Sequence, residues 1–161
     1  MTTWIEPVSD RTQEDVDFAI QKISEWIAGD IAHNPLLVHD LKGCLNVSDI
    51  NRMENDVKYL SEKLNGYAYS VSTTSKSWDK SGLPNETDIS RILRNVRAII
   101  TAYHQPKHAP QVPDSMLSYS EVNAVEENLA LIKELIDVMA KSFKASGAFT
   151  AGSTMFLPIR R

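Results

Sequence analysis

The feature that most constrains this chain is one style of helix start, written four times. A residue with a short polar side chain stands three positions ahead of an acid, and an aliphatic residue follows: Thr12/Asp15-Val16, Asn46/Asp49-Ile50, Asn85/Asp88-Ile89 and Ser118/Glu121-Val122. The short side chain can accept a bond from an unpaired N–H of the first turn. The acid can return to the cap's own N–H while lying at the positive end of the helix dipole. Only Ser118-Tyr119-Ser120-Glu121 is the strict capping box; the others are variants of it. Leu45 and Leu117 precede their caps and can staple onto Ile50 and Val122. Apolar residues then recur at helical spacing over about 12–28, 46–65, 85–103 and 118–145. Gly29, Asn65-Gly66, Pro106 and Gly147 supply stop signals.

Three of these helices resemble one another beyond their caps. Residues 50–60, 89–99 and 122–132 superpose in register, with apolar side chains at the same four positions, spaced three, four and three. Any amphipathic helix gives the apolar match. Arg52/Arg91, Asn51/Asn123 and Glu54/Glu126 also coincide, which favours a true repeat, and both readings stand on the sequence. A repeat of this kind implies similar helices side by side, because none can bury its stripe alone.

The last helix and the residues after it depart from the pattern. Val122, Val125, Leu129, Ile132, Ile136, Met139 and Phe143 keep a three-four rhythm, with a second row, Leu131, Leu135 and Val138, beside it. So wide a face suits a helix buried on two sides, in its own bundle and against another subunit; the central helix of a monomeric bundle is the alternative. From Ala148 to Ile159 the chain is apolar and β-prone, with Phe149, Met155, Phe156 and Leu157 as its large side chains. This stretch suits a hairpin or an arm that adds to a neighbour. The connectors 30–45, 66–84 and 104–117 are long for a minimal bundle, and Tyr67–Ser72 alternates enough for a short strand. The predicted fold is mainly α: a four-helix bundle-like domain over 1–146 with long loops, then an extended or β-hairpin tail over 147–161.

Several chemistries fit poorly. A net charge of −4 and a pI near 5.5, with no dense Lys/Arg run, argue against nucleic-acid binding. The single cysteine, Cys44, has no internal disulfide partner and is expected as a small buried apolar residue. The first residues lack a basic segment followed by an apolar one, so no signal peptide is expected, and no stretch has the length of a membrane span. His104 and His108 are four apart, but Pro106 between them argues against a shared helical face; His33 and His39 have only Asp40 nearby, so no metal site is expected. The acids Asp10, Glu14, Asp15 and Asp17 suit a helix N-terminus, and Arg91, Arg94 and Arg97 suit a solvated helix face. With no phosphate-cradling glycine loop and no nucleophile elbow among six glycines, neither a cofactor nor an enzymatic activity is expected.

Two stretches carry a family resemblance. Asp10-Arg11-Thr12-Gln13-Glu14-Asp15-Val16 matches a D-R-T-x-x-D-V element, and residues 42–60 match K-G-x-x-N-x-x-D-L-N-R-I-E-x-N-x-x-Y-L, departing at Ile50, Met53 and Asp56. A Trp-containing loop, a helix like 88–96, a Pro-rich segment and Asn123-Ala124-Val125-Glu126 follow in the same order. In these motifs the chain resembles a family of small structural proteins from the tail modules of Firmicutes bacteriophages and prophages. The resemblance implies a non-enzymatic virion component of a baseplate, tail tip or fibre junction, assembled in the bacterial cytoplasm. Its partners would be other tail proteins and further copies of itself, with neither nucleic acid nor membrane. The alternative is a cytoplasmic assembly chaperone absent from the finished particle. The expected interaction residues are Leu131, Leu135, Val138, Met139, Phe143, Phe149, Met155, Phe156 and Leu157.

Overall fold

The computed structural model describes residues 2–29, 40–79, 82 and 84–145, and among them the chain is mainly helical. Helix α1 spans Gln13–Ile27, α2 Val47–Gly66, α3 Glu86–Ala102 and α4 Tyr119–Ala145. The caps do what their spacing implies. Thr12 and Asp15, like Asn85 and Asp88, exchange side-chain-to-backbone bonds. Ser118 N–H donates to Glu121 (2.9 Å), and Glu121 N–H donates to the Ser118 hydroxyl (3.3 Å). One local expectation fails: Leu117 is 93% exposed, so it does not staple onto Val122.

The core is closed by three helices. α2 packs on α3 and α4, and α3 on α4, around Met53, Leu60, Ile92, Val96, Leu129 and Ile132, all fully buried. The helices run parallel. Early in α2, Arg52 meets Glu126 of α4 and Glu54 meets Arg91 of α3; at the far end Tyr67 stacks on Phe143 and Tyr69 meets Tyr103 edge-on. Parallel neighbours explain the long connectors. A helix of 20 residues is about 30 Å long at about 1.5 Å per residue. The chain must cover most of that length again, roughly eight residues at about 3.3 Å each, before the next helix can start.

Each return is an extended strap laid in a groove between two helices. Strap 1 (residues 2–11) lies between α4 and α2, strap 2 (residues 69–79) between α2 and α3, and strap 3 (residues 104–117) between α3 and α4. The expected strand over 67–72 is therefore absent; these residues form a turn and the start of strap 2. The turn closes α2 by crossing bonds, Ala68 N–H to Asn65 O and Tyr69 N–H to Leu64 O, with Ala68 at φ +68° where glycine is usual.

α1 sits outside this arrangement and makes no extensive contact with the other helices. Its first turn is pinned by the loop before α2. Lys42 reaches Asp10 (3.0 Å) and Asp15 (3.4 Å), and Gly43 passes so close that a Cβ there would lie 2.0 Å from the Asp15 carbonyl oxygen. Strap plus helix is thus the repeating unit, present three times, and α1 with its flanks is an insertion between strap 1 and α2.

Candidate functional site

The polar residues that coincide between two of the three helices are the clasps that hold the straps. In α2, Asn51 takes the Trp78 N–H on Oδ1 and donates Nδ2 to the Trp78 carbonyl, both at 2.9 Å. Asn123, at the matching position in α4, does the same to Arg11 of strap 1, at 3.3 and 2.8 Å. An amide side chain carries both N–H donors and a carbonyl acceptor, so it can pair with a backbone unit as a neighbouring strand would. Three positions beyond each sits a buried glutamate. Glu54 binds Arg91 and accepts from Trp78 Nε1 (3.3 Å); Glu126 binds Arg52 (2.7 Å) and accepts from Val8 N–H. Further along, Asn95 pairs both ways with Thr74 and Asp56 accepts from Ile5 N–H (3.2 Å).

The third groove lacks most of these clasps, and it lacks them together. The positions matching Asn51, Glu54 and Arg52 are Ser90, Leu93 and Ala124. Strap 3 is held instead by Arg97, whose guanidinium donates to the Pro113 carbonyl and to Asp114, both at 2.7 Å, and by Asn128 Nδ2 to the Pro110 carbonyl (2.9 Å). Pro110 has no N–H, which leaves Asn128 Oδ1 without a protein partner where Asn95 has one. Arg91 and Arg97 are accordingly structural ties and not members of a solvated row; Arg94 alone stays exposed.

Where strap 1 ends, the clasps merge into a buried ionic cluster. Arg11 donates to Asp49 (2.8 Å) and Glu126 (3.3 Å), and Arg52 donates to the same two acids, with Arg11, Asp49 and Glu126 almost wholly buried. Two positive and two negative groups balance, so no net charge is left in the core. Such a cluster adds modestly to stability when intact, but removing one member strands its partners. Asp56 lies just beyond it, 1% exposed, with Oδ2 lacking a protein partner. Burial pushes its pKa up to about 7, against the opposing pull of Ile5 N–H, Asn55 and Arg52; Glu126 adds to the rise.

No arrangement for chemistry emerges from the remaining sequence candidates that are described. Cys44 is half-buried, less enclosed than expected, and burial pushes its thiol pKa up. His104 and His108 are both exposed, and among the described residues no group of three His, Cys, Asp or Glu side chains could hold a metal ion. No helix among them is long and apolar enough to cross a membrane. His33 and His39 lie outside the described residues.

The expected interaction residues are spread along one edge of α4. Leu131 and Leu135 are half-buried, Val138 is 54% exposed, Met139 packs on the core, and Phe143 is exposed but stacked on Tyr67 at 5.9 Å. Phe149, Met155, Phe156 and Leu157 lie outside the described residues. The larger open apolar surface is on α1, where Ile20 (58%), Trp26 (57%) and Ile27 (75%) face solvent. Helical spacing sets these side chains on one broad apolar face of α1, and spacing alone does not say whether that face is covered. The available warning was that α1 shares the cap of the other helices but none of their clasp residues. Scans against protein-family models, curated proteins and solved structures return no match.

Proposed function

We propose that the chain is a non-enzymatic assembly subunit, and specifically a structural component of a bacteriophage tail at a baseplate, tail tip or fibre junction. The carrying observation is the division of labour between the threefold strap–helix unit and the inserted helix. The core's polar residues are engaged with its own straps, whereas α1 is unnecessary for closing that unit and presents Ile20, Trp26 and Ile27 to solvent. A helix that is apolar on an uncovered face is a docking element before it is a stability element. The phage assignment rests on the resemblance of the motifs. Among the residues that carry it, Arg11, Asp49, Asn51, Arg52, Glu54, Asn123 and Glu126 belong to the clasps and the ionic cluster that hold the straps, so part of what the resemblance transfers is the way the straps are held.

Mass spectrometry of purified particles from a bacterium carrying this gene, beside the matching lysate, tests the reading. The chain is expected in the particle at fixed stoichiometry to other tail proteins. Its presence only in the lysate, bound to an assembly intermediate, would replace this reading with that of an assembly chaperone.

A further inference from the structure

We propose that α1 of one copy docks in the groove between α3 and strap 3 of a second copy, joining copies head to tail. This rests on the reading of the chain as an assembly subunit and names its self-contact. The acceptor is an open groove of about 560 Å³ whose lining includes Ile100, Val112, Arg97, Gln105 and Asp114. A volume of that order accepts large side chains, and tryptophan and arginine are the residues that anchor interfaces most often.

Charge selects the partner. From residue 89 to residue 114 the chain has four basic residues, Arg91, Arg94, Arg97 and Lys107, and one acid, Asp114, which lines the groove and is held by Arg97 at 2.7 Å. Arg91 is tied to Glu54, but Arg94 and Lys107 are exposed and pair with no carboxylate among the described residues. The α1 region is the opposite. Residues 10–25 hold Asp10, Glu14, Asp15, Asp17 and Glu25 against Arg11 and Lys22. Arg11 is turned into the core cluster, and Lys22 is held by Glu25 at 2.8 Å. Glu14 and Asp17 are exposed and pair with no basic group among the described residues. Asp17 stands one turn before Ile20, and Ile27 two turns after Ile20, so a carboxylate and two aliphatic side chains share one line of the helix. That line suits a groove that offers Ile100 and Val112 to aliphatic side chains, and whose two walls, α3 and strap 3, also carry the exposed Arg94 and Lys107. Acceptor and donor are different surfaces, so each copy keeps one of each, and the contact propagates or closes into a ring.

Sedimentation of the whole chain tests this. The average mass should rise with concentration and fall when salt is raised from about 50 mM to about 500 mM, because the exposed charges are screened. A donor variant, Trp26→Ser with Ile27→Ser, and an acceptor variant, Arg94→Glu with Lys107→Glu, should each sediment as monomers. Mixed in equal amounts they should form a pair and nothing larger, since one intact donor and one intact acceptor remain. Asp17→Arg should weaken assembly about tenfold and should recover when combined with Arg94→Glu, which keeps the test independent of the apolar substitutions. A wild-type monomer at all concentrations, undiminished self-assembly of either variant, or failure of the mixture to pair would each overturn the proposal. A wild-type monomer that is nevertheless found in particles would sink this contact and leave the assembly reading standing; self-association by a chain missing from particles would do the reverse.

Discussion

The unit made of α2, α3, α4 and their straps and the inserted α1 begin with the same kind of cap, yet they are held in different ways. In the repeating unit, each strap is sewn to a helix by side chains that replace the hydrogen bonds of a sheet, above a close-packed aliphatic core. α1 is pinned at its first turn by Lys42 and Gly43 and leaves much of its apolar stripe uncovered beyond Ala19. Capping therefore establishes that a segment is helical and says little about where it packs. Where it packs is decided by the polar positions inside the apolar stripe.

The sharpest way to break this comparison is at Glu126, which serves Arg11, Arg52 and Val8 together. Glu126→Ala leaves two buried guanidiniums short of a partner and should cost about 3–5 kcal/mol in urea unfolding. A loss under about 1 kcal/mol would mean the cluster is wet and unimportant.

Asp56 gives the next largest effect, and its sign is unusual. Its pKa rises from 3.8 unfolded to about 7 folded, so both states are protonated below about pH 4. Between there and pH 7 the unfolded chain ionises first, and stability should fall as pH rises through that window, then level off. Asn95 and Asn128 stand at the matching positions of α3 and α4. Asp56→Asn should flatten the decline and stabilise the protein at pH 8 by about 1–3 kcal/mol, followed by thermal unfolding across pH. A variant no more stable than wild type at pH 8 would contradict the account of that carboxyl.

Smaller effects should follow the repeat. Asn51→Ala and Asn123→Ala each remove a two-bond clasp and should cost about 1–2 kcal/mol, with Asn51→Ala also loosening Trp78 and changing its fluorescence. Ser90→Ala, at the third copy of that position, should stay within about 0.5 kcal/mol. Equal losses at all three would argue that the matching positions share no common role. The smallest change is expected on α1, where Ile20→Ser should alter the unfolding free energy by less than about 0.5 kcal/mol while reducing self-association.

Much of this was legible in the chain, though unevenly. Four helices, their starts and the close likeness of three of them follow from cap spacing and a 3.6-residue period, which depend on neighbours along the sequence. The coincidence of Asn51 with Asn123, of Glu54 with Glu126 and of Arg52 with Arg91 was also visible, but its meaning was not. An asparagine in an apolar stripe looks alike whether it faces water or a strap, and strap 2 is separated from α3 by residues that give it no periodicity. The connector lengths held the missing clue, since long returns are what parallel helices require. The position of α1 is illegible for the converse reason: its stripe is as apolar as a core stripe, and exposure is a property of what the rest of the chain leaves uncovered. On α4, the second apolar row suits either burial against another subunit or a central place in a monomeric bundle, and of its three residues Leu131 and Leu135 are half-buried while Val138 is exposed.

Native-state hydrogen exchange tests the central claim most directly, that three strap–helix units form one closed cooperative body carrying an inserted helix. Amides of α2, α3 and α4 should share the highest opening free energy, and those of α1 should exchange through openings at least about 2 kcal/mol less costly. Protection of α1 equal to that of the other three would contradict it and make α1 part of the core.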